Sequence, residues 1–179
     1  MNFMLNEEQR AIEDGIAQVM SDFGDDYWLE KDKNGGFPEE FYRAMADGGW
    51  LGVSFPEEVG GADLGIASAA VMMRAIASTS GGMQAASAIH MNVFGPKAVA
   101  LFGTAEQKQR WLPPIINGEQ KSAFGVTEPN AGLDTGAITT FAERTDNGYV
   151  INGRKVWTST AQVADKILLL ARTKPKDQC

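Results

Sequence analysis

The sequence predicts an α+β chain: an N-terminal all-α helical domain over residues 1–120, then an antiparallel β domain over residues 121–179 that reads as truncated. Three observations predict this. Up to about residue 120 the apolar residues recur at helical spacing. Two capping-box patterns, Asn6-Glu7-Glu8-Gln9 and Thr104-Ala105-Glu106-Gln107, open helices within that stretch. From Ser122 the apolar period drops from 3.6 to 2, the spacing of a strand.

In order along the chain, Asn6 is expected to cap a helix whose apolar face is Ile12, Ile16, Val19, Met20 and Phe23, ended by Gly24. Asp25 to Gly36 reads as a polar segment. Pro38 suits a first helical position, and Glu39 and Glu40 complement the dipole of a helix burying Phe41, Ala44 and Met45. Gly48-Gly49 stops it. Trp50 to Phe55 is a short apolar connection, and Pro56 to Gly65 a Gly-rich loop. Ile66 to Ser78 is apolar nearly all round, which argues a central helix with several packed faces. Met83–Val93 and Pro96–Phe102 follow as helices. The helix opened by Thr104 runs through Trp111 and Leu112, Pro113-Pro114 strains its end, and Asn117-Gly118 is the turn out. Met72, Met73 and Met83 read as core filler.

The second half reads as strand Ser122–Val126, strand Ile138–Arg144, a hairpin turn at Asp146-Asn147-Gly148 and strand Tyr149–Ile151. Lys155–Ser159 is expected to continue the sheet, and Ala164–Arg172 to form a buried strand around Ile167, Leu168, Leu169 and Leu170. Two or three hairpin strands rarely stand alone, so the sheet is expected to continue in a longer protein.

With 179 residues, 44% of them hydrophobic, the chain can bury a substantial core. Its net charge of −7 gives no general attraction for nucleic acid or an anionic membrane. No apolar run approaches the roughly 18–20 residues that span a bilayer. The N-terminus has no secretory pattern, and the single Cys179 excludes an internal disulfide and suits a reducing, cytoplasmic setting. One Cys and one His are too few ligands for a Cys–His metal site; carboxylate sites stay open, and no metal is assigned.

Two stretches carry chemistry. SAFGVTEPNAGLD, Ser122–Asp134, is a strand running into a polar turn at Thr127, Pro129, Asn130 and Gly132, where the absent side chain lets backbone approach a neighbour. GRKVWTST, Gly153–Thr160, sets Trp157 beside three hydroxyls. Taken singly, the turn reads as a connection, Trp157 as a core aromatic, Ser159 as a surface strand hydroxyl and His90 as a packed or hydrogen-bonded core residue. Glu128 reads as structural, since a carboxylate repels phosphate.

Taken together, TEPNAG and INGRKVWTST resemble the acyl-CoA dehydrogenase family, as do PEEVGG at Pro56–Gly61 and FGTAEQKQRWLPPIINGE at Phe102–Glu119. The resemblance covers almost the whole chain. It implies FAD, with Phe124 and Trp157 as aromatic walls, the Val126 backbone and Thr127 hydroxyl at the pyrimidine edge, and Thr158 and Ser159 beside them. Ser159 stands where the family usually has Thr facing flavin N5. Gly132 and the Leu133 backbone would lie near the pyrophosphate and the thioester ligand, with Leu133 and His90 assigned to substrate. Leu133 departs from the family's usual Ser and brings no side-chain donor. The resemblance also implies an acyl-CoA substrate, an electron-transfer flavoprotein as partner, and a homo-oligomer, dimer or tetramer. In the family a Glu base removes the α-proton while the β-hydride passes to flavin, giving the 2-enoyl thioester. That base lies in a later helical domain, so no catalytic residue is assigned to this chain. A flavin-dependent monooxygenase of the same fold and a non-catalytic acyl-CoA-binding module are the alternatives.

Overall fold

The computed structural model describes residues 4–175; Cys179 and the last polar residues of the chain lie outside the described residues. The chain divides into two compact units, Met1–Lys121 and Ser122–Cys179, each described by itself.

The first unit is helical: α1 (Glu7–Met20), α2 (Asp25–Asn34), α3 (Glu39–Asp47), α4 (Gly65–Ala77), α5 (Gly82–Phe94), α6 (Lys97–Phe102) and α7 (Ala105–Ile116). Both capping boxes form. The Asn6 side chain accepts from the Gln9 amide at 2.7 Å, and Gln9 accepts from the Asn6 amide at 3.2 Å. Thr104 and Gln107 repeat the exchange at 3.2 and 2.9 Å. These bonds satisfy amides that a helix start leaves without intrahelical partners.

The core is built from the predicted stripe of α1 packed on α4, with α5 against α4. Ile16, Phe41, Met45, Met72, Ile76 and Ile89 are fully buried in it. A second cluster gathers Phe55, Val59, Ala100, Leu112 and Ile116, so the 50–65 connection is a packed element.

Three expectations for this unit change. Residues 25–34 form α2, which has no apolar stripe to announce it because only Trp28 is buried. The α4 helix buries Ser68, Ala69, Met72 and Ile76, while Ile66 on its other side is exposed. An Ala/Met-rich composition made that helix look buried all round, yet within the described residues it packs through one face. Met83 is 72% exposed and fills no core. The helix opened by Thr104 runs through Pro113 and Pro114 to Ile116 and is capped by Asn117, where the turn out was expected.

The second unit holds β1 (Ser122–Gly125), β2 (Phe141–Thr145), β3 (Gly148–Asn152) and β4 (Lys166–Leu169). β2 and β3 are antiparallel, joined by the expected tight turn, with Thr145 opposite Gly148. β1 and β4 pair in parallel, Ser122 opposite Lys166 and Gly125 opposite Leu169, where antiparallel pairing was expected. A period of two fixes which face a residue occupies and says nothing about strand direction; the intervening segment is long enough for the crossover that parallel pairing needs. The chain after β4 joins the two ladders. Leu170 donates to the Gly125 carbonyl at 2.9 Å, and Arg172 exchanges 2.8 Å backbone bonds with Thr140 and Ala142.

β4 is half-exposed rather than buried, with Ile167 53% exposed. Lys155–Ser159 forms no strand. Residues 138–140 lie outside β2: the Thr140 carbonyl accepts from Arg172, but the Thr139 and Thr140 amides serve a carboxylate.

That carboxylate is Glu128, only 5% exposed. Its Oε2 accepts from the Thr139 amide and hydroxyl, each at 2.7 Å. Its Oε1 accepts from the Thr140 amide at 2.8 Å and from Lys155 Nζ at 2.9 Å. Burial alone would push the Glu128 pKa up; the surrounding donors outweigh it and hold the carboxyl far below the ordinary carboxylate range. The Thr140 hydroxyl lies near the carboxylate but meets no hydrogen-bond geometry, so the four bonds above fix the group. The structural role expected of Glu128 is this one.

Phe41→Ala should cost about 3–5 kcal/mol, and Asn6→Ala about 1 kcal/mol, read from urea unfolding midpoints. The depressed Glu128 pKa predicts a pH effect. In the unfolded chain this carboxyl titrates near 4.5, so its stabilisation is complete above that pH and is lost as pH falls toward the folded value. Thermal melts between neutral pH and about pH 3 should show a fall below about 4.5 that Glu128→Gln flattens. Equal slopes in the two proteins would contradict it.

Candidate functional site

The two motif stretches lie side by side. The Val156 amide donates to the Thr127 carbonyl at 2.9 Å, and Lys155 Nζ donates to the Val126 carbonyl at 2.8 Å as well as to Glu128. Residues 155 and 156 therefore bond to three consecutive residues, 126 to 128. Close approach also fixes the start of this segment. A Cβ on Gly153 would lie 2.3 Å from Thr140 Oγ1, which only a glycine avoids.

Immediately beyond the last of these bonds stands Trp157. It is 89% exposed, and its backbone is left-handed, with φ of 58°. Left-handed backbone is costly for a bulky residue and persists where surrounding contacts impose it. An indole held this way and left uncovered is unlike a core aromatic, the reading that Trp157 alone suggested. Thr160 is also left-handed, with φ of 67°, and closes a turn in which the Val163 amide donates to the Thr160 carbonyl at 3.0 Å. Thr158, half-buried, and Ser159, exposed, lie on the turn before it, in which the Ala161 amide donates to the Thr158 carbonyl at 3.4 Å.

On the neighbouring stretch, Phe124 is the one residue of β1 that faces outward, 36% exposed. Val126 and Thr127 are half-buried. Glu128 and Ala131 close the turn through reciprocal backbone bonds of 2.8 and 3.2 Å. No atom lies within 4 Å of where a Gly132 Cβ would sit, so this glycine is not required by a close neighbour within the chain, contrary to the expectation from its place in the turn. Leu133 projects fully into solvent.

The β unit thus presents an uncovered indole, an outward phenyl ring, turn hydroxyls and an open glycine turn around one backbone junction. That set of groups suits a flat, partly polar heterocycle, with room beside Gly132 for a bulky substituent. The chemistry of an isoalloxazine ring fits it. A shallow cavity of about 320 Å³ elsewhere in this unit is lined by Thr135, Ile138 and residues 170–174 and includes none of the predicted site residues.

His90 belongs to the helical unit. It sits on the exposed side of α5 with its ring 5.2 Å from that of Phe94, one turn on, and partial desolvation of the ring lowers its pKa, which favours the neutral imidazole. It is not the enclosed core residue that its apolar neighbours suggested. Lys155 was missed as a contributor from sequence. Its signal was a cation in a stretch where Arg154 is the only other charged residue between Asp146 and Asp165. No group of three or more His, Cys, Asp or Glu among the described residues is placed to hold a metal. No helix among them is long and apolar enough to cross a membrane.

Comparison with known proteins bears on the family and the fold. The family model for the acyl-CoA dehydrogenase N-terminal domain matches residues 6–119, and that for the acyl-CoA dehydrogenase middle domain matches residues 123–178. Benzylmalonyl-CoA dehydrogenase of Aromatoleum aromaticum is 37% identical over 173 residues, covering 96% of this chain and 45% of the relative. The structure of butyryl-CoA dehydrogenase from Megasphaera elsdenii superposes with a TM-score of 0.83 at 26% identity, covering 98% of this chain and 46% of that one. The FAD complex of PigA shares the fold, with a TM-score of 0.88 at 24% identity over 98% of this chain and 46% of its own. The chain spans less than half the length of these proteins. By the family models, the sequence relatives and the fold, the chain belongs to the acyl-CoA dehydrogenase family.

Proposed function

We propose that this chain supplies the N-terminal helical domain and the opening of the middle β domain of an FAD-dependent acyl-CoA dehydrogenase, which oxidises the α,β carbon–carbon bond of an acyl-CoA thioester. The observation that carries the reading is the junction of the two motifs at the Val156–Thr127 bond, with a left-handed, uncovered Trp157 next to it. FAD, when bound, supplies the hydride-accepting chemistry. Trp157 and Phe124 offer apolar faces to its ring. The Val126 and Thr127 backbone, the Thr127 hydroxyl, Thr158 and Ser159 offer polar groups at its edge. Gly132 and Leu133 leave space for the pyrophosphate and for the thioester ligand, and Leu133 and His90 are assigned to the substrate. Leu133, where family members usually have Ser, can donate through its backbone alone. No residue of this chain is assigned the α-proton abstraction. The same reading makes the protein a cytoplasmic homo-oligomer that passes electrons to an electron-transfer flavoprotein.

The test is the visible spectrum of the full-length protein before and after a panel of acyl-CoAs. A yellow protein bleached by one of them is expected. A colourless protein that releases no flavin on denaturation would contradict the proposal, and reaction only with supplied reduced flavin and oxygen would make the protein a monooxygenase of the same fold. Trp157→Ala should weaken FAD binding about tenfold, as loss of one aromatic contact would; unchanged affinity removes Trp157 from the site. Residues 1–179 alone should bind FAD far more weakly than the full-length protein, measured by titration.

A further inference from the structure

We propose that Glu128 and Lys155 are positioning residues that set the pose of Trp157 against the flavin; the inference rests on the reading of residues 124–133 and 155–160 as a flavin wall. A side chain as exposed as Trp157 has little packing around it to fix its direction. Its pose must come from the backbone that precedes it. That backbone is held in a closed circuit. Glu128 binds the Thr140 amide at 2.8 Å, Thr140 abuts Gly153 with no room for a Cβ, and Lys155 returns to Glu128 at 2.9 Å. The circuit spans residues 128, 140, 153 and 155, and Trp157 is two residues past its end.

The pair is nearly dry, the Lys155 side chain being 10% exposed and that of Glu128 4%. Buried ion pairs are weak sources of net stability, because desolvation offsets their attraction. What this one supplies is direction. An ammonium donating to both Val126 O and Glu128 Oε1 has one position to occupy, and it draws the 155–157 backbone onto the 126–128 backbone. An apolar pair of similar volume could fill the space but would not choose that register. The left-handed Trp157, at φ of 58°, is the strained residue such a clamp has to hold.

The experiment uses the full-length, flavin-free protein labelled with 5-fluorotryptophan, with the Trp157 fluorine resonance assigned by its loss in Trp157→Phe. Trp28, Trp50 and Trp111 lie in the helical unit and serve as internal references. Glu128→Gln and Lys155→Met should each shift or broaden the Trp157 resonance, leave the three references in place, and weaken FAD binding about tenfold. The neutral pair Glu128→Gln with Lys155→Met relieves the stranded charge of either single change, so it carries the test if a single variant does not fold. Tyr149→Ala, near the turn end of the β2–β3 hairpin and outside the circuit, should leave both the resonance and the affinity unchanged. A folded clamp variant with an unmoved Trp157 resonance overturns the proposal, as does a Tyr149→Ala effect equal to that of the clamp variants. Unchanged FAD affinity in Trp157→Phe and Trp157→Ala, with the resonance still moved by the clamp variants, overturns the flavin-wall reading and not the clamp.

Discussion

A carboxylate taken out of water has to find donors within the fold, and Glu128 finds four of them on three residues. That requirement organises the β unit. The Thr139 and Thr140 amides are withdrawn from the ladder to serve it, so β2 begins only at Phe141. The Lys155 ammonium is drawn inward, so the segment after β3 leaves the sheet and runs against the turn that follows β1. Because charge-assisted bonds are short and directional, these loops have little freedom to slide relative to one another.

The same constraint explains why an indole can stand uncovered. Most exposed aromatics in a soluble chain are mobile at the side chain and unremarked by the backbone. Here the backbone at Trp157 is left-handed and sits one residue beyond a bond to Thr127. Rigid support on one side and open space on the other is the arrangement a binding wall needs. The helical unit contributes differently: its core is conventional close packing of α1, α4 and α5 around residues such as Ile16, Met72 and Ile89.

Much of this was legible in the sequence, for physical reasons that differ between elements. The capping boxes at Asn6 and Thr104 are local chemistry, and local chemistry survives folding. The stripe Ile12, Ile16, Met20 and Phe23 announced its helix because one face had to be buried. α2 was hidden because a helix burying only Trp28 leaves no periodic signal. In the β unit, alternation located β1 and the β2–β3 hairpin, while the parallel partner of β1 depends on a crossover that no local pattern encodes. The site segments were readable as motifs. Their mutual contact was not: the bond between Val156 and Thr127 and the reach of Lys155 to Glu128 join residues 27 or more positions apart. Glu128 could be set aside as a phosphate ligand on charge alone, but its four donors become visible only in three dimensions.

The central claim is that residues 124–133 and 155–160 make one wall of a flavin pocket. The measurement that tests it most directly is a crystal structure of the full-length protein with FAD. The account predicts the isoalloxazine ring within about 4 Å of the Trp157 indole, with its pyrimidine edge at the Val126–Thr127 backbone. A flavin bound elsewhere, with Trp157 covered by protein instead, would contradict it.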